Sequence, residues 1–218
     1  RAARKAMRSE PDFFMAPNLL HVTADVLRTI FSDEGIAESS TLDRVEERLA
    51  QWHDASRILV QRYKGDVMSL YHAAGEALEG ESGILARLAE FQAYSDPVEK
   101  KSFLLVMFAQ RSGAWQVRDI ENLKVAIDYH IMRIALRSGM VRVQDADLTE
   151  RLKTKQTVTA LQDNQIREAV REACDLIVRD SRHSVFEVDN ILWMMGRNCC
   201  FYDYEPICGS HRCWRQAQ

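Results

Sequence analysis

The sequence predicts an all-α protein, on three observations. Pro and Gly are scarce, at 4 and 9 of 218 residues. Alternating strand-like runs are nearly absent. Apolar residues recur instead at the three- and four-residue spacing that builds one face of a helix. Hydrophobic residues make up 46% of the chain, enough for a core, and the length suits one large domain or two small lobes sharing an interface over 1–218.

The elements follow in order. Leu19–Phe31 reads as the first helix. Leu42–Tyr63 reads as the second, with Val45, Leu49, Trp52, Ile58 and Leu59 as its apolar stripe. Gly65-Asp66 punctuates before the helix at Val67–Tyr71, and a Gly-Glu-Ser-Gly loop at 80–83 leads into Ile84–Phe91. Asp96-Pro97 opens another helix, with Asp at the cap and Pro in the first turn. Beyond Ser112-Gly113 the chain is looser as far as Leu123. Asp128 then starts a helix that ends near Ser138-Gly139. Gln162–Val178 is strongly amphipathic, with Ile166, Val170, Ala173, Cys174 and Ile177 inward, and Val185–Met195 is the last helix before a cysteine-rich loop at 196–214. No internal repeat or low-complexity tract interrupts this order.

Charge and targeting signals bound the function. A net charge of −3 excludes a broadly basic surface, so any nucleic-acid site has to be a local patch. No apolar run reaches the roughly 18 residues of a transmembrane helix. Arg1, Arg4, Lys5 and Arg8 are not followed by the apolar stretch of a signal peptide, and the expectation is an intracellular protein without a membrane partner. Its oligomeric state is left open.

The run Ala126-Ile127-Asp128-Tyr129-His130-Ile131-Met132-Arg133 carries the most chemistry. An acid at the start of a helix accepts from free backbone N–H groups and sits at the positive end of the helix dipole. Held in apolar surroundings, such a carboxylate can steady a developing positive charge. An ordinary N-cap on a core helix is the alternative. Five cysteines are present. Cys174 lies alone on an apolar face and reads as a small buried hydrophobe, while Cys199, Cys200, Cys208 and Cys213 fall close together. Four thiols in a short loop with Gly and Pro suggest a metal or iron–sulfur site.

The Asp128 run resembles the Val-Asp-x-His-Val-x-Arg-Val segment of the helix-hairpin-helix DNA glycosylase superfamily, the endonuclease III and adenine glycosylase group. Asp128, His130 and Arg133 fall on its polar positions. The strings Gly196-Arg197-Asn198-Cys199-Cys200 and Pro206-Ile207-Cys208-Gly209-Ser210 are similar to the cysteine loop that closes those enzymes. The two hairpin glycines of that group are missing from Asp96-Pro97-Val98-Glu99, and the spacer to Asp128 is long, which is closer to the archaeal 8-oxoguanine glycosylase branch.

The resemblance implies a base-excision enzyme with AP-lyase activity, acting on double-stranded DNA whose damaged base is flipped out. Lys101 would attack C1′ and Asp128 would assist, with Lys100 in reserve. A solvated lysine pair balancing Asp96 and Glu99 is the alternative for both. Trp115 and Tyr129 would contact the extruded base. A [4Fe–4S] cluster would be held by Cys200, Cys208 and Cys213, with Cys199 or His211 as fourth ligand; zinc suits the mixed Cys/His set, and an empty loop is the remaining option. An RNA or nucleoside N-glycosidase of the same fold, and a non-enzymatic metal-loop module binding nucleic acid or protein, are the competing functions.

Overall fold

The computed structural model describes residues 2–201. Among them are eleven α-helices and no β-strand, so the protein is all-α. No helix of the described residues is long and apolar enough to cross a membrane. The chain divides into two compact units. One comprises the described residues up to Ser95 together with Gly113–Ile120; the other comprises Asp96–Ser112 and the described residues from Glu121 onward.

The first unit holds α1 (Ala2–Ser9), α2 (Ala16–Leu19), α3 (Ala24–Ile30), α4 (Val45–Tyr63), α5 (Val67–Ala73) and α6 (Ile84–Leu88). The single helix expected over Leu19–Phe31 is broken. Thr23 lies extended, with φ −102 and ψ 166, and its side chain accepts from Val26 N, which caps α3 and forbids continuity from α2. α4 starts at Val45 rather than Leu42, after Arg44 in the left-handed region (φ 52). Asp66 caps α5 by accepting from Met68 N and Ser69 N. Leu27, Ile58, Leu70, Leu78, Ile84 and Leu88 form the core, each no more than 6% exposed.

The returning segment Gly113–Ile120 is fastened to this core by polar bonds. Asp119 accepts from Leu78 N at 2.5 Å and from Glu79 N at 3.1 Å. The Tyr71 hydroxyl donates to Gln116 O at 2.6 Å and accepts from Gln116 N at 3.0 Å.

The second unit holds α7 (Lys100–Arg111), α8 (Tyr129–Ser138), α9 (Ala146–Lys153), α10 (Ala160–Asp180) and α11 (Val185–Asn198). Asp96 does not cap α7 at its first turn as the sequence suggests. It closes the preceding turn, accepting from Val98 N and Lys100 N. α9, which the periodicity did not reveal, is capped by Asp145 through Leu148 N. α10 and α11 each begin with a capping box, Thr159 with Gln162 and Ser184 with Glu187, so both N-termini satisfy two orphan donors reciprocally. Gly196, Arg197 and Asn198 form the last turn of α11 rather than the start of a loop.

Candidate functional site

The site is built where three chain segments of the second unit meet. Leu123–Asp128 enters without helical structure, and Val125, Ala126 and Ile127 are buried. Asp128 then caps α8 from an extended conformation, φ −120 and ψ 178. Its Oδ1 accepts from His130 N at 2.9 Å and from Ile131 N at 3.0 Å. No hydrogen bond from the described residues reaches its Oδ2. The residue is only 8% exposed. One oxygen is thus pinned by backbone, and the other accepts no hydrogen bond from the described residues.

A second acid arrives from α11. Asp189 Oδ1 accepts from the buried Ala126 N at 2.9 Å, two residues before Asp128. Burial raises the Asp189 pKa above the usual carboxylate value, and the neighbouring Asp128 charge raises it further; the Ala126 N–H and Lys100 pull the other way. Lys100, half-buried at the first position of α7, therefore belongs to the same charge cluster. Arg171 of α10 fixes that corner by donating to Val98 O while its guanidinium lies 5.1 Å from the Phe103 ring centroid.

Cys174 of α10 is fully buried, and its thiol is pushed up to about 12 by burial first and then by Asp175 and Asp189. Thiols react as thiolates. Iodoacetamide at pH 8 should accordingly label the half-exposed Cys199 in the folded protein and leave Cys174 unmodified; mass mapping that finds Cys174 alkylated would contradict its environment.

The outer edge of the site is aromatic and basic. Tyr129 is 64% exposed, and its ring lies 4.2 Å from that of His130. His130 Nδ1 is 3.0 Å from Arg133 Nη2. Arg133 also donates to Gly196 O at 2.7 Å and to Cys200 O at 2.6 Å, tying α8 to the end of α11. Beside Tyr129 a cavity of about 570 Å³ opens between α8, α9 and α10, with Met132, Leu136 and Leu152 as apolar wall and Arg137, Lys153 and Arg167 among its basic groups.

The sequence-proposed residues are placed as follows. Asp128, Tyr129 and Lys100 stand in the second unit, Asp128 and Lys100 sharing the charge cluster and Tyr129 adjoining it. Lys101 is exposed on the first turn of α7. Trp115 is in the core of the first unit, 2% exposed and stacked on Tyr71 with centroids 5.2 Å apart, so its packing surface is already occupied. Cys199 Sγ donates to Met195 O, and Cys200 Sγ accepts from Arg137. Cys208, His211 and Cys213 lie outside the described residues. Among the described residues no group of three or more His, Cys, Asp or Glu side chains is arranged to hold a metal ion. Sequence reasoning missed Asp189, although a signal was present: it sits four residues after Val185 and three before Leu192, on the buried stripe of α11.

Comparison with known proteins changes the identity that the short motifs suggested. A family model described as queuosine salvage protein matches residues 1–205. The search of curated proteins finds no match. The match overturns the helix-hairpin-helix DNA glycosylase assignment, and with it the DNA-repair and AP-lyase activity, the Lys101 Schiff base and the iron–sulfur loop as a family marker. Those rested on two short strings, each dominated by residues that any capped helix or cysteine-bearing turn can supply. A match over nearly the whole length outweighs them, and the chain belongs to the queuosine salvage protein family.

Proposed function

We propose that the protein hydrolyses the N-glycosidic bond of a queuosine nucleoside or nucleotide, releasing the base queuine for reuse. Queuosine is a ribonucleoside of a 7-deazaguanine base, and recovering that base requires breaking the C1′–N bond. A 7-deazapurine has carbon where guanine has N7, so base departure cannot be assisted by protonating that nitrogen. The ribosyl side must then supply the rate enhancement, by stabilising positive charge on C1′ and the ring oxygen.

Asp128 is suited to this role. The observation that carries the reading is its divided carboxylate: Oδ1 held by two backbone N–H groups, Oδ2 without a hydrogen bond from the described residues, the whole group nearly buried. As the C1′–N bond breaks, its electron pair leaves with the base, which takes up a proton from solvent. Water adds through oxygen to C1′ and gives its proton to Asp128, which passes it on. The exposed ring of Tyr129, the next residue in the chain, offers a face for the flat heterocycle.

The test is to incubate purified protein with queuosine, with its 5′-monophosphate and with queuosine-containing RNA, and to follow free queuine by chromatography. Base release from at least one is expected with the unaltered protein and not with Asp128→Asn. No release from any of the three ends this reading.

A further inference from the structure

Asp189 is a half-buried acid that the hydrolysis scheme leaves unused, and its surroundings are unlike those of a structural residue. Ala126 and Asp189 are 63 positions apart in the chain, yet a carboxylate is spent on a single backbone N–H, which a neutral amide would satisfy equally well. Burying an ionised group beside another of like charge is costly. The charged groups that act on Asp189 from the elements packed around it are Asp128 at the start of α8 and Lys100 at the start of α7, and Asp189 in turn acts on the Cys174 thiol of α10. Asp175, the other acid beside Cys174, is paired with Lys124 at 3.1 Å. Lys100 is the one cation among the described groups that act on Asp189, and it acts less strongly than the Asp128 charge.

We propose that Asp189 is the positioning residue for Asp128, fixing the Ala126–Asp128 segment through the Ala126 N–H and adding a second negative charge near the carboxylate at which the ribosyl cation forms. The inference rests on the hydrolase reading above. A cation developing near Asp128 is stabilised by both carboxylates, although only Asp128 meets the reacting atoms. The cost is borne by the folded protein, in which Asp189 stays charged in a half-buried place beside another carboxylate.

That arrangement makes activity and stability move in opposite directions. Asp189 binds its proton more tightly in the folded than in the unfolded state, so ionising it as pH rises through its folded pKa diminishes folding stability. Asp189→Asn keeps an acceptor for Ala126 N–H and removes the charge. It should melt no lower than the unaltered protein at pH 7, and should gain nothing at acid pH, where Asp189 is already neutral. The same variant should slow queuine release at pH 7 by about tenfold, the factor that corresponds to roughly one pKa unit of interaction. The unaltered protein should show an acid limb in kcat above the ordinary aspartate range, and Asp189→Asn should lack it.

Asp189→Ala, which leaves the buried Ala126 N–H unpaired, should lose both activity and melting temperature. Measuring kcat against pH and thermal melting for the three proteins decides the matter. If Asp189→Asn retains full kcat and the same acid limb, or melts as low as Asp189→Ala, the inference is overturned and Asp189 is a structural residue. If the unaltered protein releases no queuine, the hydrolase reading fails first. Melting then still tests the Ala126 anchor: equal losses in the two variants refute it, while a loss confined to Asp189→Ala upholds it.

Discussion

Asp128→Asn should leave the protein folded and slow queuine release by about 10²–10⁴-fold, the contribution of a positioned acid–base group. The expectation separates catalysis from folding because Asn is as good an N-cap as Asp. Its side-chain oxygen can still accept from His130 N and Ile131 N, which the aspartate Oδ1 now does at 2.9 and 3.0 Å. What disappears is the charge and the free basic oxygen. Asp128→Ala makes the complementary measurement: it removes the cap as well, at a cost of about 1 kcal/mol of stability. Steady-state turnover with the best of the three substrates and thermal melting of both variants check the pair. An Asp128→Asn protein with near-normal turnover would reduce Asp128 to a helix cap.

Gly196→Ala should destabilise the second unit by about 1–3 kcal/mol, the usual cost of forcing an added group into a packed interior. Here the clash is with a helix rather than with a yielding side chain. A Cβ built on Gly196 would lie 2.7 Å from His130 Cβ and 2.8 Å from the His130 carbonyl oxygen. α11 must then move away from α8, and the bond from Arg133 to Gly196 O, now 2.7 Å, goes with it. For a chain of this size the fall in melting temperature should be roughly 2–4 °C per kcal/mol. Because Asp189 rides on the same helix, queuine release should fall as well. A variant that melts with the unaltered protein would show that the two helices have slack.

Much of the helical framework was legible because its signals are local. Asp128, Ser112-Gly113 and the apolar stripe Ile166, Val170, Cys174 mark their elements through neighbours three or four residues away, and the helices formed there. The same logic failed at Thr23, whose hydroxyl competes for Val26 N and splits an apolar run that periodicity alone reads as continuous. It failed again at Gly196, read as the opening of a loop when its lack of a side chain serves a helix crossing.

The short strings misled for a related reason. An acid before an apolar helix, followed by His and Arg, is what a capped and anchored helix needs in any fold: Asp128 bonds its own first turn, and Arg133 bonds the end of α11. Such residues report local geometry and carry little information about substrate. The family match over residues 1–205 draws on the whole chain and is specific where the strings are not.

By itself the sequence determined the all-α class, most helix positions and the single carboxylate Asp128, since backbone capping and amphipathic spacing depend on residues close along the chain. Only the tertiary structure decided that Asp189 stands behind Asp128, that Lys100 belongs to the charge cluster while Lys101 faces solvent, and that Trp115 is spent on Tyr71. Those facts depend on which helices pack together, and burial and charge–charge coupling arise between residues that are neighbours in space and strangers in sequence.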